Sequence, residues 1–302
     1  MIIIYKTIGS KLELKEAEKD CWINVINPTK NETKKLISDF GVPVELINDI
    51  LDVDERPRIE HDDGWTLFIF RIPVEVKNNG VPFTTIPLGV FISKDSILTL
   101  CSQDNEVLSI ANTTKFSDNI NFILHLFLRS GSLYLKYLKQ INQLTTLIES
   151  DLEKSVKNKE LNKLLKMEKC LVYFITSIKA NEIVLTKLRS TRKITTEINE
   201  DLIEEALIEN KQALEMAQIY SNIQSSMMNA FASVISNNLN VIMKKLTLIS
   251  ILLMIPTLVA SIFGMNVPNN MEDSTWALPS IILGTLIISS ISVMLFRKNK
   301  WF

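Results

Sequence analysis

Two long stretches near the end of the chain, Leu246–Met271 and Ser274–Phe296, carry no charge and are separated only by Glu272 and Asp273. Each exceeds the roughly 20 apolar residues that cross the hydrocarbon core of a bilayer, so the pattern predicts a hairpin of two transmembrane helices behind a large soluble body. Upstream, the chain has no glycine between Gly131 and Gly264 and no proline between Pro87 and Pro256. A run that long without the two main helix breakers, rich in Leu, Ile, Lys, Glu and Asn, predicts almost continuous helix. From about Asp118, with Ser117 or Asp118 as N-cap, the pattern gives two long helices and a third, with breaks at Lys157-Asn158-Lys159 and at Ser190–Thr196. The third starts near Glu200 and meets no stop before the membrane, which makes about 60 residues and on the order of 90 Å of helix.

Before this helical body the periodicity changes. Short β-rich runs at Met1–Tyr5, Cys21–Asn27, Arg58–His61, Trp65–Pro73, Thr85–Ile92 and Ile97–Cys101 read as strands, with Asp62-Asp63-Gly64, Asn78-Asn79-Gly80 and Lys94-Asp95 as turns. Helical patterns fall between them at Lys34–Phe40 and Val44–Leu51, and again near Asn105–Thr113. The expected class is therefore α+β. A mixed α/β domain over 1–117 is followed by a helical hairpin over 118–199 and a stalk helix over 200–245. A first span over 246–263, an outer loop over 264–276, a second span over 277–296 and a basic tail over 297–302 complete the chain. The pattern leaves the strand order open.

Charge sets the expected orientation. Lys244 and Lys245 precede the first span and Arg297, Lys298 and Lys300 follow the second, while the loop between the spans has acid but no Lys or Arg. By the positive-inside rule both termini lie in the cytoplasm and the loop faces out of the cell membrane. The first ten residues lack the flanks and cleavage pattern of a signal sequence, so the soluble body is expected to stay inside. A formal net charge of −1 gives no electrostatic reason to expect nucleic acid. Cys21, Cys101 and Cys170 stand singly, which suits a reducing compartment and buried thiols rather than a disulfide or zinc framework.

The third long helix carries two stripes. Leu214, Ala217, Phe231, Val234, Ile235 and Ile242 form an apolar face that needs other helices or other subunits to cover it. Farther on, Asn240, Met243, Thr247, Ser250, Met254, Thr257 and Ser261 recur at alternating spacings of three and four, along one face that ends at Gly264. The other faces of the span are Leu, Ile and Val. Small polar residues glue transmembrane helices together; equally, several copies of such a face around an axis would line a pore. The stripe alone leaves both readings open.

At Phe263-Gly264-Met265-Asn266, followed by Pro268, the sequence resembles the CorA family of divalent metal ion transporters, whose signature is Gly-Met-Asn at the outer end of the first of two C-terminal spans. The likeness extends to Glu55-Arg56-Pro57-Arg58-Ile59-Glu60-His61-Asp62-Asp63 and to Phe68-Ile69-Phe70-Arg71 in the soluble domain. Asn240, Met254 and Thr257 fall where the family has pore-facing residues, and Leu246 falls at a hydrophobic constriction. The resemblance implies a homopentamer in membrane lipid whose partners are its own copies and divalent cations. Mg2+ keeps its octahedral water shell and sheds it reluctantly. A ring of Asn266 amides bonding to the hydrated ion then serves as entry filter, with Gly264 allowing a sharp turn and Met265 packing the loop. Below it the ion would meet hydroxyls at Thr257 and Ser250 and narrow rings at Met254, Leu246 and Met243, which gate by excluding water. A negative-inside potential supplies roughly 2.3 kcal/mol per charge per 100 mV, so no chemistry is required of the protein.

The chain departs from the family pattern at Phe263, where tyrosine is usual, at Pro256, one residue later than expected, and at Asn229, where relatives carry a regulatory aspartate. The cytoplasmic regulatory metal site is left open. Co2+, Ni2+ and Zn2+ are alternative cargoes, and a non-conducting helical scaffold is the rival from another class. The chain lacks a phosphate-binding loop, a nucleophile elbow and a histidine cluster, so no enzyme activity and no cofactor are expected. The acidic run Glu197, Glu200, Asp201, Glu204, Glu205 and Glu209 reads first as a solvated face, His61 as part of a turn, and His125 as a packing residue. Arg297, Lys298 and Lys300 mark topology first, and in a pentamer would also form a basic collar at the inner mouth.

Overall fold

The computed structural model describes residues 1–6, 8, 12–19, 21–62, 64–76, 80–93, 96–109, 119–154, 158–190, 199–265 and 276–298. In chain order the elements are β1 (Ile2–Tyr5), β2 (Glu13–Leu14), β3 (Cys21–Ile26), α1 (Lys30–Phe40), α2 (Val44–Leu51), β4 (Arg58–Asp62), β5 (Trp65–Glu75), β6 (Phe83–Ser93), β7 (Ser96–Cys101), α3 (Asn119–Lys154), α4 (Asn158–Ser190), α5 (Glu200–Phe263) and α6 (Ala277–Lys298). They fall into two units, Met1–Ser226 and Met227–Phe302.

The seven strands form one sheet in the order β2-β1-β3-β7-β6-β5-β4, in which only β3 and β7 run parallel. Strand alternation divides β5 between two cores. Phe68, Phe70 and Ile72 join Leu88, Val90, Phe122, Phe127 and Leu185 on the face covered by α3 and α4. Leu67 and Ile69 join Ile23, Val25, Leu36, Ile47 and Ile50 on the face covered by α1 and α2. α1 starts with a capping box, Thr29 Oγ1 accepting from the Glu32 backbone N–H while Glu32 takes the N–H of Thr29. α2 lies so close on β6 that a Cβ at Gly89 would sit 2.3 Å from Ile50 Cδ1. In the same way a Cβ at Gly131 of α3 would come 2.7 Å from Glu209 Cγ of α5.

Helix and sheet are pinned together around Arg71. In β5 it stands opposite Pro87, which has no N–H to offer, and β4 begins only at Arg58, paired with Ile69, so no strand reaches Arg71 from the other side. The Asn181 carboxamide of α4 takes the place of that strand: its Oδ1 accepts from Arg71 N–H at 2.8 Å and its Nδ2 donates to Arg71 C=O at 2.7 Å. Tyr134 of α3 donates to the same carbonyl at 3.0 Å. The Arg71 guanidinium, its pKa lowered by burial, donates to Ser177 Oγ, the Glu55 carbonyl and the Thr85 carbonyl. Arg58 gathers the carboxylates of Asp49, Glu55 and Glu60.

The expected strands all form, within a residue or two at each end, and β2 joins them unanticipated. α1 begins four residues before the expected Lys34, because the Thr29–Glu32 capping box fixes its start. The helix expected over Asn105–Thr113 is corrected among its described residues to a single 3-10 turn at Leu108–Ser109, held by Asn105 Oδ1 accepting from Leu108 N–H. The three long helices form as described; Asn158 and Lys159, expected in the first break, already belong to α4, while 155–157 and 191–198 lie outside the described residues. Ser117, Asp118 and the turns at Asp63, Asn78-Asn79 and Lys94-Asp95 lie outside the described residues.

Candidate cation pathway

The second unit holds the end of α5 and all of α6. By length and composition both helices suffice to cross a membrane, and only 0% and 6% of their most apolar windows is buried, unlike the core helix of a soluble protein. Pro256 sits inside α5, where it withholds the N–H due to the Leu252 carbonyl.

Burial separates the faces of α5. Leu248, Leu252, Ile255 and Val259 are half-buried. Val259, with Pro256, Ala260 and Phe263, faces Leu278, Ile281, Thr285 and Ser289 of α6 across an apolar cleft of about 530 Å³. The stripe predicted from sequence lies on the opposite side: Asn240, Met243, Leu246, Thr247, Ser250, Met254, Thr257 and Ser261 are all exposed. The helix pairing within this chain therefore does not consume the stripe.

Three of its hydroxyls are oriented. Thr247 Oγ1 donates to Met243 C=O at 2.9 Å, Ser250 Oγ to Leu246 C=O at 3.0 Å and Thr257 Oγ1 to Leu253 C=O at 2.8 Å. With each proton committed to the helix backbone, the oxygen lone pairs are what these groups present outward. An acceptor surface of that kind suits the hydrogens of a cation's water shell rather than an anion.

Gly264 and Met265 follow α5 directly. The Gly264 N–H bonds Ala260 C=O at 2.9 Å and Met265 N–H reaches Ile262 C=O at 3.4 Å, so the backbone still winds helically. Gly264 lacks the positive φ found at Gly41 and Gly64, and a Cβ there would stand 3.1 Å from Ala260 O. Met265 is 60% exposed rather than packed within the chain. Asn266, the acids Glu272 and Asp273, and Lys300 lie outside the described residues. Arg297 and Lys298 fall in the last turn of α6, and Lys298 is exposed.

The remaining candidates are scattered. Glu200, Asp201, Glu204 and Glu205 are exposed, as a solvated face requires, whereas Glu209 packs on Gly131 and accepts from Ser132 Oγ at 2.9 Å. Glu197 is outside the described residues. His61 is on β4 rather than in a turn, its Nδ1 3.0 Å from Thr66 Oγ1 across the strand pair. His125 is half-buried in α3, and Asn229 is exposed on α5. All three cysteines are buried, which pushes the thiols of Cys101 and Cys170 up to about 12 and about 11. Among the described residues no group of three or more His, Cys, Asp or Glu side chains is arranged to hold a metal. The polar side chains that sequence reasoning passed over are Asn181, Asn210 and Gln224, each buried in the helical layer; their signal was an amide recurring at an otherwise apolar helical position.

Comparison with known proteins places the whole chain. The family model described as CorA-like Mg2+ transporter protein matches residues 18–298. The "Cobalt/magnesium transport protein CorA" of Methanocaldococcus jannaschii is 28% identical over 295 residues, covering 93% of this chain and 90% of that protein. The protein of the same name from Thermotoga maritima is 20% identical over 305 residues, covering 97% and 87%. The solved complete structure of the CorA magnesium transporter from M. jannaschii superposes with a TM-score of 0.82 at 25% identity, over 100% of this chain and 99% of that one. With the family model spanning both units, the chain belongs to the CorA-like Mg2+ transporter family.

Proposed function

We propose that this chain is one subunit of a homopentameric channel that lets hydrated divalent cations, Mg2+ foremost, pass through the cell membrane down the electrical potential. Five copies of the α5 stripe face a common axis, and α6, on the far side of α5, separates it from lipid. The Gly264-Met265-Asn266 loop meets the ion outside, where Asn266 amide oxygens accept hydrogen bonds from its water shell. That arrangement fits a cation that dehydrates reluctantly. Thr257 and Ser250 continue the acceptor surface inward, while Met254, Leu246 and Met243 form apolar constrictions that stop flow when they dewet. Both termini are cytoplasmic, with Arg297, Lys298 and Lys300 as a basic collar at the inner mouth. The driving force is the membrane potential, about 2.3 kcal/mol per charge per 100 mV, so the protein is not an enzyme and needs no cofactor.

The observation that carries this reading is the free polar face. Packing against α6 uses the other side of α5, so hydroxyls with outward lone pairs remain exposed in a helix otherwise suited to lipid. Purified protein in liposomes loaded with a magnesium-sensitive dye tests it. Influx that responds to a negative-inside potential and disappears in Asn266→Ala supports the channel; no influx from the parent leaves the scaffold. The names of the two relatives above couple cobalt with magnesium, so Co2+ is the second cargo to try, with Ni2+ and Zn2+ after it. Block by hexaamminecobalt, which mimics fully hydrated Mg2+, separates recognition of the water shell from recognition of the bare ion.

A further inference from the structure

β3 and β7 lie side by side as the parallel pair of the sheet, yet the chain leaves their carboxyl ends in opposite directions. β3 leads to α1, whose Leu36 is in one core, and β7 leads toward α3, whose Phe122 and Phe127 are in the other. Adjacent parallel strands whose connections part to opposite faces open a crevice at their carboxyl ends, the place where open α/β sheets take their ligands. A cavity of about 430 Å³ lies at that end, lined by Asn24 of β3 and by Asp104, Asn105, Glu106, Leu108 and Ser109 just after β7.

The floor of the cavity is a hydrogen-bond donor. Trp22 Nε1–H donates to Thr99 Oγ1 at 3.0 Å. Thr99 is fully buried, so its own hydroxyl proton needs an acceptor, and Asn24 Oδ1 supplies it at 3.1 Å. With the carboxamide turned the other way the Thr99 proton would have nowhere to go, which fixes Oδ1 toward Thr99 and Nδ2 toward the cavity. Asn24 is 7% exposed, and among the described residues its Nδ2 has no partner. A buried donor is costly to leave unmade, so this one calls for an acceptor brought from outside.

The rim is acidic. Asp104 accepts from Asn105 N–H on Oδ1 at 2.9 Å and keeps Oδ2 to spare, whereas Glu106 is held by Lys136 Nζ at 2.8 Å and by Tyr137 Oη. The Asn105 carboxamide is committed to Gln103 C=O and Leu108 N–H. A metal ion fits poorly, because the floor offers hydrogens rather than lone pairs. An anion also fits poorly, because Asp104 repels it and the charge of Lys136 is already matched by Glu106. A donor below and a carboxylate above are complemented by an uncharged group that carries a C=O beside an N–H.

We propose that this crevice binds a small uncharged molecule through an amide or lactam edge, its C=O on Asn24 Nδ2 and its N–H on Asp104. The volume suits a ligand the size of nicotinamide or a nucleoside. The membrane helices take no part, so the site stands apart from the channel reading.

Equilibrium dialysis of the full-length protein in detergent micelles, with empty micelles as the blank, tests it with radiolabelled nicotinamide and uridine. At least one of the two should bind saturably, at one site per chain. Methyl nicotinate, which has the carbonyl but no N–H, should compete more weakly than nicotinamide by about tenfold. Asn24→Asp keeps an acceptor for Thr99 but turns the floor into an acceptor, and should weaken binding by about tenfold or more. Asp104→Ala should bring nicotinamide down to the level of methyl nicotinate. Ser109→Trp fills the cavity from its exposed rim without touching the core, should abolish binding, and decides the matter should Asn24→Asp fail to fold. No saturable binding of either probe overturns the proposal, as does binding that survives Ser109→Trp and Asp104→Ala unchanged. Displacement of the probe by inorganic phosphate or by Mg2+ would make this an ion site and overturn the amide edge.

Discussion

Replacing Asn181 by leucine isolates the energetics of the joint between sheet and helices. Asn181 is 1% exposed and its carboxamide supplies both partners that the missing β4 backbone would have given Arg71. Leucine keeps the branched outline of the side chain in bulkier methyl groups, so the site stays filled while both hydrogen bonds go. The Arg71 carbonyl keeps Tyr134 Oη as donor at 3.0 Å, but its N–H, bonded to Asn181 Oδ1 at 2.8 Å, has no second acceptor. A buried donor left unmade costs about 1–3 kcal/mol. For a unit of this size each kcal/mol moves Tm by about 2–4 °C, so Asn181→Leu should lower Tm by about 2–12 °C. Asn181→Ala loses the same bonds together with packing and should fall further. Thermal unfolding of the detergent-solubilised protein, followed by tryptophan fluorescence, reads the difference because Trp22 is buried in the same core. If Asn181→Leu unfolds within a degree of the parent while Asn181→Ala does not, the strand-substitute argument is wrong and Asn181 contributes volume only.

Two further outcomes follow from local geometry. Gly89→Ala drives a Cβ to 2.3 Å from the fully buried Ile50 Cδ1, an overpacking that should cost about 1–3 kcal/mol in chemical denaturation, and Ile50→Val, which deletes that atom but keeps Cγ1 at 2.8 Å, should recover only part of the loss. Glu32 is held at about 2, below its ordinary 4.5, chiefly by the Thr29 backbone N–H and then by the Thr29 hydroxyl. A depressed folded-state value adds stability that is complete above pH 4.5 and is lost as pH falls toward about 2. The stability gap between parent and Glu32→Gln should therefore be widest near neutral pH and close on acidification across that window; a gap independent of pH would refute the assignment.

The α5 rod was readable because no glycine or proline interrupts it before Pro256, and its polar face because three-four spacing survives any tertiary context. Long range defeated the rest. The order of the strands depends on β3 finding β7 some seventy residues away, and no local pattern encodes that partner. β2 is two residues long, too short to show a period. The start of α1 was present in the sequence as Thr29-x-x-Glu32, a capping box passed over in favour of the apolar residues behind it. Gly264 was expected to allow a sharp turn; its φ is not positive, and a Cβ there would stand 3.1 Å from Ala260 O. Asn181, Asn210 and Gln224 showed in the sequence only as amides at otherwise apolar helical positions, since their partners lie on other elements 32 to 110 residues distant.

In the proposed channel one face of α5 touches the permeating ion. Cysteines placed singly at Thr247, Ser250, Met254 and Thr257, and at Leu248, Leu252 and Val259 on the α6 side, can be challenged with a small cationic thiol reagent while Mg2+ flux into proteoliposomes is recorded. Flux should be blocked at the first four positions and spared at the other three. Block that ignores this periodicity, or that favours the α6 side, would contradict a cation path along the stripe.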